Sequence, residues 1–211
     1  MPLDLGVLIS GSGTNLGAIL AAVASGQLDA RVRLVISNRA DAGGLEKARA
    51  AGVPTLVISH RDYPSREAFD AAVVAALRGA GAELVVLAGF MRVVTPVLLE
   101  AFPDRVVNIH PALLPAFPGV DAQAQAVAYG VRIAGCTVHF VDPGVDTGPI
   151  IAQAAVAVEP DDDRDALAKR ILEKEHELLV QVLAWIAEGR VTIEPPRAGA
   201  RRRVRVQKAA G

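Results

Sequence analysis

Leu5-Gly6-Val7-Leu8-Ile9-Ser10-Gly11-Ser12-Gly13-Thr14-Asn15-Leu16-Gly17-Ala18-Ile19-Leu20 decides the fold class. Leu5 to Ile9 is an apolar run of strand length. Gly11 to Asn15 breaks it, and Leu16 to Ser25 continues with helical spacing. A strand, a glycine turn and a helix make the opening unit of an α/β fold. Working outward, Val32–Ser37, Thr55–Ile58, Glu83–Ala88 and Arg105–Ile109 read as further strands. Helical spacing separates them at 42–51, 65–78 and 97–101, with Gly52 as a C-cap and Ser65 as an N-cap. Strands this apolar are buried on both faces. The pattern predicts a Rossmann-like α/β fold, a mostly parallel twisted sheet flanked by helices.

The alternation stops near residue 110, where Pro111, Pro115 and Pro118 follow closely. Cys136–Val141 and Ile150–Val158 read as two strands of a C-terminal hairpin with a long loop between them. Asp163 to Ala187 carries apolar residues at Leu167, Ile171, Leu178, Val182 and Ile186, so one long amphipathic C-terminal helix is expected, ended by Gly189. The economical organisation is one domain over 1–190 and a basic tail over 195–211, read as a solvated, disordered end.

Composition narrows the function classes. The chain is 52% hydrophobic and 4% aromatic, which supports a sizeable core and no aromatic platform for single-stranded nucleic acid. A net charge of -1 hides an asymmetry: the tail holds six basic residues and no acid, leaving 16 basic against 23 acidic residues in the body. No nucleic-acid partner is expected; a gel shift lost on deleting 195–211 would overturn that. Cys136 is alone, which excludes an internal disulfide and a multi-cysteine metal site and fits a cytoplasmic location. No apolar run reaches membrane-spanning length, and the start lacks the basic region of a signal peptide.

Three segments carry chemistry. Gly11-Ser12-Gly13-Thr14-Asn15 lies between strand and helix, where exposed N–H groups favour an anion; a plain tight turn is the competing reading. It lacks the Lys-Ser/Thr pair of a Walker loop and departs from the dinucleotide fingerprint. Asn108 and His110 are two apart at the end of an apolar strand, hence on one side of it, at the sheet edge where ligands bind. Asn donates to a developing oxyanion, and His manages a proton near neutral pH. The loop Asp142-Pro143-Gly144-Val145-Asp146-Thr147-Gly148-Pro149 offers two carboxylates. Either could orient a histidine or serve a turn, and spacing alone does not choose between Asp142 and Asp146.

Together with Ile36-Ser37-Asn38, Leu87-Ala88-Gly89-Phe90-Met91-Arg92, Leu113-Leu114-Pro115, Pro118-Gly119 and Val138-His139-Phe140-Val141, these segments resemble the phosphoribosylglycinamide formyltransferases, in order from about residue 5 to 190. The resemblance implies transfer of formyl from 10-formyltetrahydrofolate, a co-substrate, to the amine of glycinamide ribonucleotide in purine biosynthesis, through a tetrahedral oxyanion. It implies a catalytic trio of Asn108, His110 and Asp146, which breaks the tie with Asp142. It places the ribonucleotide at Gly13, Thr14, Asn15 and Glu175. It places the folate at Arg66, Met91, Arg92, Val93, Val94, Asn108 and Val141. No metal is implied, because the pterin nitrogen already activates the formyl group. The partners implied are these two small molecules, with no membrane, for a monomer or homodimer.

The chain departs from the family pattern at Ala112, where Ser is usual, at Ala116, where a basic residue is frequent, and at Asp121, where His is usual. Asp121 raises the expectation of an acid that tunes His110. Two other readings compete. One is a related enzyme that formylates methionyl-tRNA or hydrolyses formyl-folate. The other is a non-catalytic nucleotide-binding module on a doubly wound sheet, which has no need of all three trio residues.

Overall fold

The computed structural model describes residues 1–195 and 201–208. These form two compact units, Met1–Asn108 and Ile109–Gly211.

The first unit is built from β1 (Leu3–Ile9), α1 (Thr14–Ala24), β2 (Ala30–Ser37), α2 (Gly44–Ala50), β3 (Thr55–Val57), α3 (Arg66–Gly79), β4 (Leu84–Leu87), α4 (Pro96–Ala101) and β5 (Val106–His110). Strand β1 pairs in parallel with β2 on one side and β4 on the other. β2 pairs with β3 and β4 with β5, also in parallel. Leu5, Val7, Leu8 and Ile9 are fully buried, as are Leu84, Val85 and Val86. That burial is the physical reason these strands read as unbroken apolar runs. Because successive connections run to opposite sides of β1, the carboxyl ends of β1 and β4 border a topological switch point. The glycine loop leaves from one of them and the segment 88–95 from the other. Ser65 caps α3 as expected, its hydroxyl accepting from Ala68 N–H at 3.1 Å.

The second unit adds α5 (Ala122–Tyr129), β6 (Ile133–Phe140), β7 (Ile150–Ala157), α6 (Arg164–Ala187), β8 (Val191–Ile193) and β9 (Val204–Val206). β6 and β7 form the expected antiparallel hairpin, with Cys136 opposite Ala154. The sheet order is β3-β2-β1-β4-β5-β6-β7. The expected long helix is α6, capped by Asp163, which accepts from Ala166 N–H at 2.8 Å. Its buried face includes Leu167, Ile171, Leu179, Val182 and Leu183.

Two features differ from the sequence reading. Helix α5 lies in the stretch read only as proline-rich. Ala and Gln favour helix, but the segment has no clear apolar stripe. The tail is not disordered over 201–208: β9 pairs antiparallel with β8, Glu194 N–H donates to Arg203 O, and Arg205 meets Glu194 at 3.1 Å. Alternating Val204 and Val206 give one side of β9 an apolar edge, which basic content alone conceals. Residues 196–200 and 209–211 of the expected tail lie outside the described residues.

Candidate active site

His110 is the last residue of β5 and is buried at 4% exposure. Its Nε2–H donates to the carbonyl of Phe117 at 2.8 Å. Its Nδ1 stands 3.3 Å from Oδ2 of Asp146. A proton on either nitrogen therefore has an acceptor, and an imidazolium satisfies both.

Asp146 is reached from the other direction. The loop after β6 returns it in a left-handed conformation, φ 53°. Its Oδ2 accepts from Gly119 N–H at 2.8 Å, and its Oδ1 lies 3.6 Å from Nε2 of His139. His139 is buried on β6 and donates from Nδ1 to Phe140 O at 2.9 Å. Asp146 thus sits between two histidines. Burial pushes its carboxyl pKa up, but the hydrogen bond from His139, the Gly119 N–H and the nearby His110 together hold it below the ordinary carboxylate value. Asp142 does different work: its carboxylate accepts from Gly144 N–H and the Thr147 hydroxyl, closing the turn. Geometry separates the two acids that spacing left tied. His139 was missed as a site residue, although its motif had been noted. The alternation of Thr137 and His139 along an apolar strand was the available signal.

The segment 115–121 closes over these groups. Phe117 and Asp121 share the left-handed conformation at φ 53°, and Gly119 lies at φ 83°. Non-glycine residues held there mark strained sites. Asp121 does not face the site as an extra acid: its carboxylate is bound by Arg164 at 3.0 Å, at the start of α6. Ala112 is buried, and its carbonyl accepts from Thr137 Oγ at 2.6 Å. Ala116 is exposed. Asn108 is half-buried on β5, two residues before His110. Glu175 is buried on α6, where its negative charge adds to burial in pushing the Cys136 thiol up to about 12. Val141 follows β6 directly and is half-buried.

In the first unit, Gly13 holds φ 66° at the start of α1. A Cβ on it would stand 2.5 Å from the Cα of Gly44, so close packing onto α2 demands this glycine whatever the loop binds. Lys47 reaches Gly13 O at 3.4 Å. Thr14 and Asn15 open α1, with Asn15 buried. After β4, Met91 and Val93 are exposed, at 73% and 48%, and Val94 is buried. The Arg92 guanidinium lies 5.1 Å over the Phe69 ring. Arg66 is exposed at the start of α3. A cavity of about 740 Å³ in this unit, lined by Leu20, Arg31, Arg33 and Pro54 among others, lies at the amino end of β2 and contains none of these residues.

Residues 4–183 match the family model described as formyl transferase. The chain belongs to the formyl transferase family. Among its relatives, phosphoribosylglycinamide formyltransferase of Escherichia coli K12 is 41% identical over 90% of this chain and 89% of its own length. The trifunctional purine biosynthetic protein adenosine-3 of Drosophila melanogaster is 49% identical over 90% of this chain, which spans only 14% of that protein. The crystal structure of glycinamide ribonucleotide transformylase 1 from Symbiobacterium toebii superposes with a TM-score of 0.94, at 54% identity, covering 98% of this chain and 95% of the other. This formyl transferase therefore shares the fold and the sequence order of that group. Among its described residues, no helix is long and apolar enough to cross a membrane.

Proposed function

We propose that this chain transfers the formyl group of 10-formyltetrahydrofolate to the amine of glycinamide ribonucleotide, the one-carbon step that its relatives' names describe, in the cytoplasm. The observation that carries the reading is the Asp146 carboxylate set between His110 and His139, with Asn108 two residues before His110 on the same strand.

The donor carries its formyl carbon on N10, an arylamine nitrogen that serves as the leaving group. As the amine attacks, negative charge grows on the formyl oxygen. Asn108 donates to that oxygen, and protonated His110, its two N–H groups held by Phe117 O and Asp146, adds a positive charge beside it. Asp146 favours the imidazolium electrostatically and takes or relays the amine proton, with His139 steadying its second oxygen. The intermediate collapses as the bond from the formyl carbon to N10 breaks, and N10 takes up the relayed proton and leaves as tetrahydrofolate. Cradle and donor site follow from the same reading. Gly13, Thr14 and Asn15 take the ribonucleotide phosphate at the helix start, and Glu175 serves the amine side. Arg66, Met91, Arg92, Val93, Val94 and Val141 take the folate. An exposed apolar rim at Met91 and Val93 beside the Arg92 guanidinium suits an amphipathic anion.

The test is a spectrophotometric assay with 10-formyltetrahydrofolate, with and without glycinamide ribonucleotide. Tetrahydrofolate formed only when the amine is present is the expected result. Equal release without the amine indicates hydrolysis, and no release in either case removes the reading.

A further inference from the structure

The segment 89–95 is held at both ends by buried polar groups that belong to none of the site residues named above. At its start, Ser10 N–H donates to Gly89 O at 3.1 Å, and Met91 N–H donates back to the Ser10 hydroxyl at 2.9 Å. That hydroxyl spends its own proton on Asn38 Oδ1 at 2.7 Å, and the Asn38 amide reaches Nδ1 of His60 at 3.4 Å. At its end, one oxygen of Asp70 accepts both the N–H of Thr95, at 2.6 Å, and the Thr95 hydroxyl, at 2.7 Å. Ser10, Asn38, Asp70 and Thr95 are 5%, 7%, 2% and 3% exposed.

Buried polar groups are costly unless every partner is in place, so such networks specify one backbone geometry. Here the two clamps bracket Met91 to Val94, leaving the exposed side chains of Met91 and Val93 projecting from a fixed frame. Asp70 sits in α3 beside Phe69, on which Arg92 stacks, and the residue it holds, Thr95, is the N-cap of α4.

We propose that Ser10, through Asn38, and Asp70 are positioning residues that set the affinity for the formyl donor by fixing the backbone of Met91–Val94, without touching the donor. The inference rests on the reading above that this segment takes the folate.

The experiment is steady-state kinetics on the full chain with each substrate varied separately. The variants are Ser10→Ala, Ser10→Thr, Asp70→Asn and Asp70→Ala. Losing one buried hydrogen bond corresponds to about three- to tenfold in an equilibrium constant. Ser10→Ala is expected to raise KM for the donor by about that factor and to leave KM for the ribonucleotide within about twofold. Ser10→Thr, which keeps the hydroxyl, is expected to restore it. Asp70→Asn, which keeps an acceptor oxygen, is expected to raise the same donor KM less than Asp70→Ala does. Amide exchange in Ser10→Ala should accelerate at Met91 while β1 and β4 stay protected. Equal donor KM in parent and Ser10→Ala, or both KM values rising together with a lowered melting temperature, overturns the inference while leaving the function intact. A parent chain that shows no transfer from formyl-folate instead removes the functional reading, and the inference with it.

Discussion

Asp146, Asp142 and Asp121 are three acids near one site, and their partners give each a different consequence. Asp146 faces two histidines, so Asp146→Asn is expected to lower kcat by at least about 100-fold with the fold retained, measured by turnover and circular dichroism. Its carboxyl is held below the ordinary carboxylate value, so its share of stability is fully present above that value and is lost as pH falls through the depressed one. The melting-temperature difference between parent and Asp146→Asn should shrink as the pH falls through the acid range in which the carboxyl is protonated. Asp121 is different. Its carboxylate is occupied by exposed Arg164, so Asp121→His is expected to leave the shape of the pH–rate profile in place and to change stability little. A profile displaced by a full pH unit would contradict that assignment.

Elements hold these residues through their ends and their closest approaches. Asp163 caps α6 and Ser65 caps α3, each through one side-chain acceptor. Asp163→Ala and Ser65→Ala should each cost about 1 kcal/mol in urea denaturation, and the double variant about the sum, since the caps belong to separate helices. The Asp146 loop is bound more tightly. A Cβ on Gly148 would fall 1.8 Å from Phe140 O, the carbonyl that receives the His139 Nδ1 proton. Gly148→Ala therefore cannot be absorbed locally. It is expected to destabilise the chain by about 1–3 kcal/mol and to lower kcat as well, because the backbone that must move orients His139. Normal turnover in a folded Gly148→Ala chain would show that His139 does not need that orientation.

At the scale of the molecule, Cys136 reports on global opening. It is fully buried on β6 with its thiol pushed up to about 12, first by burial and then by the charge of Glu175. In native buffer a thiol reagent should label it only at the rate of unfolding, and labelling against urea should follow the same midpoint as the loss of helix signal. Early labelling would place an opening of the β6–β7 region below global unfolding. The C-terminal segment matters at this scale too: Arg201 donates to Thr147 O at 3.3 Å, so the stretch leading into β9, beyond the family match, reaches the loop that carries Asp146.

What the sequence by itself determined is whatever depends on neighbours along the chain. Buried parallel strands are legible because both faces must be apolar, so Leu5–Ile9 and Leu84–Leu87 declare themselves. Ser65 announces its cap, and α6 its apolar stripe, for equally local reasons. Asn108 and His110 stand out because two residues of a strand point the same way. Tertiary structure decided what depends on distant partners. Asp146 and Asp142 are alike in spacing, and only the fold gives one of them two histidines and the other a turn. His139 looked like part of a strand until β6 brought it to Asp146. Helix α5 has propensity without a stripe, and β9 is a basic segment whose two valines matter only once β8 lies alongside. In each case the deciding energy is a contact between residues far apart in sequence, which no local pattern encodes.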